Sequence, residues 1–115
     1  MVRKIKIERI YVKPVTFGGP TKKGSNYYNF KKTIISNLKF NETLEGELSI
    51  RITLFILRRR IGYNKNDLDN FLKPIIDALD ESRLLSEENI AHIDIKREVV
   101  HTDNEEGIEI EISNI

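Results

Sequence analysis

Apolar and charged residues alternate from Val2 to Val12, where Ile5, Ile7, Ile10 and Val12 predict a strand. The alternation slips near Glu8 and Arg9, as it does at a bulge. Lys13 to Ser25 reads as a loop, because Pro14, Gly18-Gly19-Pro20 and Lys22-Lys23-Gly24 supply turn chemistry with a cationic tip. From Asn26 to Leu38 the spacing of Tyr27, Ile34, Ile35 and Leu38 predicts a short amphipathic helix, with Lys31, Lys32 and Lys39 beside the stripe. Period two returns at Leu48, Ile50, Ile52, Leu54 and Ile56, so Gly46 to Arg58 is expected to be a strand.

The clearest helical stripe is Leu68, Phe71, Leu72, Ile75, Ile76 and Leu79, the pattern of a helix lying on a sheet. Pro74 lacks the N–H that would reach the carbonyl four residues back. It places the helix start near Asn70, with the proline in the opening turn, or else a kink at the proline. Ile90 to Val100 and Gly107 to Ile112 then read as strands, and the turn-rich His101 to Glu106 between them suggests a hairpin. The order β-α-β-α-β-β implies an α+β fold: one domain, a small mixed sheet and two packed helices.

Composition narrows the class. With 115 residues and 13.4 kDa the chain suits one core, and its 39% hydrophobic content argues against disorder. No apolar run approaches the length of a membrane span, so no membrane partner is expected. The N-terminus lacks the apolar run of a secretory signal, and the absence of cysteine excludes disulfides and thiolate metal sites. A cytoplasmic location is the resulting expectation.

The net charge of +1 conceals a division. Residues 1 to 65 carry 15 Lys and Arg against 4 acids, whereas residues 66 to 115 carry 4 against 14. Folded together, the halves set carboxylates beside a large positive surface. Cations that gather a polyphosphate and acids that hold a metal would be arranged in this way; so would halves that merely neutralise each other through scattered ion pairs.

The candidate chemistry lies in Asn66-Asp67-Leu68-Asp69-Asn70. On a regular helix the two aspartates would point about 200° apart, whereas in an extended segment they share a side. Pro74 favours the extended form for 67 to 69, which would let both acids converge at the positive end of the helix dipole, with Lys73 reaching back from four residues later. Mg²⁺ takes oxygen ligands and keeps water and phosphate in its shell, so two aspartates and a third acid, Glu87 or Glu88, would suffice. That acidic turn lies near the far end of the helix, some 18 Å from its start at about 1.5 Å per residue. On spacing alone another reading stays open: Asp67 and Asp69 as helix-start acids, with Lys73 paired to Asp69 or Asp77. No serine has a histidine and acid at informative spacing, and His92 and His101 read as solvated residues on a strand and a turn.

The longer string Asp67-Leu68-Asp69-Asn70-Phe71-Leu72-Lys73-Pro74-Ile75-Ile76-Asp77-Ala78-Leu79, followed by Glu87-Glu88-Asn89-Ile90, resembles the RusA-type Holliday junction resolvases. Their signature runs D-x-D-N, a lysine four residues after the second aspartate, D-A-L, and later an acidic pair before a polar and an aliphatic residue. Seven positions of thirteen match with spacing intact, and the resemblance spans about residues 66 to 90. It implies a small homodimeric, Mg²⁺-dependent endonuclease that cuts four-way DNA junctions. Asp67 and Asp69 correspond to its metal-binding aspartates and Lys73 to its catalytic lysine. The family usually carries Asp-Asp at the third acid; here aligning Asn89-Ile90 puts Glu87 at that position, with one more methylene.

Lys22, Lys23, Arg58, Arg59 and Arg60 are the candidate contacts to the DNA backbone, the triple arginine reading otherwise as a solubilising loop, and Tyr63 is a candidate either for packing or for stacking on an unpaired base. Two other functions suit parts of the pattern. A noncatalytic branched-DNA-binding module would retain the fold without activity, and a D-x-D sugar transferase would need a nucleotide-sugar domain that 115 residues do not provide.

Overall fold

The computed structural model describes residues 4–16, 19–38, 42–61 and 67–114. Four strands, β1 (Lys4–Ile10), β2 (Leu48–Leu57), β3 (Ile90–Val100) and β4 (Gly107–Asn114), form one mixed sheet. Two helices, α1 (Asn26–Ser36) and α2 (Leu68–Glu81), follow β1 and β2, and single 3₁₀ turns cover Arg58–Arg60, Glu87–Asn89 and Asp103–Glu105. The α+β class and the order of elements agree with the periodicities. The expected slip in β1 is present as a register shift between Ile7 and Ile10.

Register converts the alternating isoleucines into rows. Ile5, Ile112, Ile50 and Ile93 lie side by side across the strands, as do Ile7, Ile110, Ile52 and Ile95. Their inner members pack with Phe30 and Ile34 of α1 and Phe71, Ile75 and Leu79 of α2 into one core. Each fully buried isoleucine contributes about 1.5–3 kcal/mol over leaving it in water. The opposite face remains polar and carries Lys4–Glu111, Arg51–Glu111, Arg51–Asp94 and Arg9–Glu109 ion pairs.

Two local expectations change. The segment His101 to Glu106 does not close a hairpin: the sheet order is β1-β4-β2-β3, with β3 parallel to β2 and β4 on its other side. The reason lies in β2, which is buried at every position from Ile52 to Leu57 and takes a hydrogen-bonded neighbour on each edge. The crossing segment is held by a capping box between Thr102 and Glu105. It ends at Gly107, where a Cβ would run into the carbonyl of Ile10.

The second change is in α2, which starts at Leu68 and continues through Pro74. A proline within a helix costs about 3 kcal/mol, but here Phe71, Pro74, Ile75 and Ile76 are all buried, and tertiary packing outweighs propensity. Asp67 is extended (φ −77°, ψ 152°) as the N-cap, whereas Asp69 stands in the first helical turn. The segment 67–69 is therefore not a single extended piece.

The helices run parallel. Tyr27 on α1 bonds to Asp77 on α2, and Lys31 to Glu81 at 2.8 Å, so the sequence offset is 50 in both links.

Candidate active site

Asp69, Leu72, Lys73 and Ile76 on α2 form one wall of a groove of about 340 Å³; Glu87, Ile90 and Ile93 form the other. The helical repeat puts Asp69, Lys73 and Ile76 on one side of α2. The 3₁₀ turn carrying Glu87 is moored when its backbone N–H donates to Asp80 Oδ2 at 2.9 Å. Asp80 is eleven residues beyond Asp69, about 16 Å along the helix. From this turn Glu87 lines the groove. Glu88, its exposed neighbour, does not line it.

Asp67 is exposed at the helix start and lies outside the groove lining. Among the described residues no three carboxylate or imidazole groups are gathered closely enough to share an ion. Asp69, Lys73 and Glu87 line one groove, whereas Asp67, beside Asp69 in sequence, does not line it.

The arginines at the end of β2 divide. Arg58 and Arg59 are exposed and line a larger groove of about 780 Å³ with Leu57, Ile61, His101, Thr102 and Asp103. Arg59 makes an exposed pair with Asp103 at 3.4 Å. Arg60 turns inward: Nη1 donates to Glu106 Oε2 and Nη2 to the Pro14 carbonyl, each at 2.6 Å. The same Glu106 oxygen accepts the Leu57 N–H at 3.0 Å. Lys22 and Lys23 are exposed on the loop before α1 and line a further groove of about 720 Å³ that Tyr27 also lines. Tyr63 falls outside the described residues.

Residues 12–113 match the family model described as endodeoxyribonuclease RusA. The chain belongs to the RusA family. No individual curated protein matches it. The family match extends far beyond the signature string, taking in both helices, β2, β3 and nearly all of β4. RusA proteins are endodeoxyribonucleases that act as Holliday junction resolvases and generally use divalent metal ions.

The RusA groove fits a hard cation in the kind of donor it offers, since its ionisable oxygens all belong to carboxylates. Mg²⁺ is commonly held by one or two carboxylates, with water and substrate phosphate completing the shell. Asp69 and Glu87 meet that requirement in kind; the full three-acid set is not assembled.

Two features of this RusA chain escaped sequence reasoning. Tyr27, a buried residue of α1, joins the site region by donating its hydroxyl to Asp77 Oδ2 in a part-buried bond, while Asp77 Oδ1 accepts from Lys73 at 3.3 Å. Burial pushes the Tyr27 hydroxyl well above its ordinary pKa, and Asp77 and then Glu81 push it further, so it remains a donor. Asp77 was visible in the signature string, but a partner 50 residues away leaves no local signal. Glu106 was likewise unmarked, reading only as one more turn acid.

Proposed function

We propose that residues 1–115 act as one Mg²⁺-dependent endonuclease unit that resolves four-way DNA junctions during recombination and repair in the cytoplasm. The observation that carries this reading is the groove in which Asp69 and Lys73 of α2 face Glu87 from the turn before β3. Asp69 and Glu87 would hold the ion, with Asp67 joining them from the helix cap. When bound, the ion supplies Lewis-acid polarisation of the phosphodiester and an acidified water.

The protein's own groups do the rest. Lys73 places a positive charge where the phosphoryl oxygens and the leaving oxygen gain negative charge in the transition state. Exposed Arg58, Arg59, Lys22 and Lys23 hold the DNA backbone without reading sequence. Arg60, committed to Glu106 and Pro14, supports the strand end from which Arg58 and Arg59 project. A four-way junction presents two equivalent strands and this chain one groove, which favours a twofold homodimer. Among the described residues β3 is an edge strand, and its free edge, with Ile93 and Val99 exposed among charged side chains, offers such a partner a place to pair.

A synthetic four-way junction, incubated with Mg²⁺, with Ca²⁺ and beside linear duplex, tests the activity. Paired cutting of the junction with Mg²⁺ is expected. Asp67→Asn, Asp69→Asn and Glu87→Gln should each abolish it while junction binding persists, and Glu88→Gln should keep most of it. Wild-type cutting by either aspartate variant would refute the metal site. Loss in Glu88→Gln alone would move the third ligand to Glu88.

A further inference from the structure

Lys73 carries a flexible four-carbon stem, and its side chain is 49% exposed. Something must hold such a cation if it is to stand at one place in the groove. Asp77, one turn along α2, accepts from it at 3.3 Å. Helix energetics do not explain the pair: lysine preceding the acid at i,i+4 is the weaker orientation, and the macrodipole favours cations toward the other end.

Asp77 is itself fixed. Its side chain is only 19% exposed, and its second oxygen accepts from the hydroxyl of Tyr27, a buried residue on α1. The two bonds use different oxygens, so both persist together. Tyr27 is anchored by the helix pairing, and Lys31 beside it, 4.8 Å from the ring, ties α1 to Glu81. The order of constraint runs from the packed interface to the tyrosine, to the carboxylate, to the exposed ammonium group.

We infer that Asp77 is a positioning residue that holds Lys73 in the groove, with Tyr27 setting the carboxylate. The inference rests on the reading of Lys73 as catalytic. Asp77 does not touch the reacting phosphate; it acts by restricting where the ammonium group stands. A misplacement of about 1 Å at such a group is enough for up to a hundredfold loss of rate.

The test uses the full chain and a synthetic four-way junction with Mg²⁺, measuring kcat and KM for Asp77→Asn, Tyr27→Phe, Lys73→Ala and the Asp77→Asn/Lys73→Ala double variant. Asparagine still accepts from Tyr27 but lacks the charge that draws Lys73. Asp77→Asn should lower kcat about tenfold with KM nearly unchanged, and Tyr27→Phe about threefold. In the Lys73→Ala background, adding Asp77→Asn should cost nothing more, because its effect passes through the lysine.

Equal further loss in that background would show a merely structural role and overturn the inference, as would wild-type kcat in Asp77→Asn. If Asp77→Asn fails to fold, Tyr27→Phe with and without Lys73→Ala gives the same decision. Wild-type kcat in Lys73→Ala would instead remove the catalytic reading of the lysine, and the inference with it.

Discussion

Two ion pairs of similar chemistry do different things in this molecule. Arg60 and Glu106 meet at 2.6 Å with side chains 16% and 3% exposed, whereas Lys73 and Asp77 meet at 3.3 Å with the lysine half in solvent. The first pair joins the end of β2, the loop at Pro14 and the start of β4, and its guanidinium stands 5.8 Å from the Phe71 ring. The second lies on one helix beside a groove. A buried pair is bound to architecture because neither charge can be left alone in a dry interior. A pair at the water's edge adds little to stability, and its cation, held in place but still in solvent, remains available for chemistry.

The contrast breaks most severely at Glu106. Glu106→Ala leaves the Arg60 charge and the Leu57 N–H without their carboxylate, and should lower unfolding stability by about 3–5 kcal/mol in denaturant titration. A loss below about 1 kcal/mol would place this pair in the same class as surface ones.

Tyr27→Phe should cost about 1 kcal/mol at neutral pH, since it removes one part-buried hydrogen bond to a carboxylate. Its pH dependence has a definite sign. The hydroxyl's pKa is raised in the fold above its ordinary value of 10.0, so its stabilisation is fully present below that pH and is lost as pH rises beyond it. The gap between wild type and Tyr27→Phe should therefore narrow in alkaline thermal melts; a gap independent of pH would break the assignment.

The smallest effect belongs to Lys73→Met. Removing the exposed partner should change stability by less than about 1 kcal/mol while junction cleavage collapses. A large loss of stability would erase the distinction between the two pairs.

How much of this could be read beforehand follows from the range of each interaction. The strands over Leu48–Leu57 and Ile90–Val100 and the stripe of α2 were legible because burial imposes a period of 2 or 3.6 on neighbouring residues. Of the two readings of Pro74, a start near Asn70 gives way to a start at Leu68, because the cost of the proline is local and the packing that offsets it is not. The hairpin expected at His101 to Glu106 failed for a similar reason: adjacency in sequence suggested pairing, while β2 required a neighbour on each edge. The triple arginine looked uniform until Glu106 drew one of its members inside.

By itself the sequence determined the class of fold, the kinds of donor at the site and membership of the RusA family, since all three are written in residue types at short, regular spacing. Only the tertiary structure decided that Glu87 and not Glu88 lines the groove with Asp69 and Lys73, as aligning Asn89-Ile90 had led one to expect, that Arg60 is interior, and that Tyr27 reaches Asp77. Those contacts join residues separated by tens of positions. Their geometry arises from the packing of α1, α2 and the β2 edge against one core, which no stretch of the chain encodes alone.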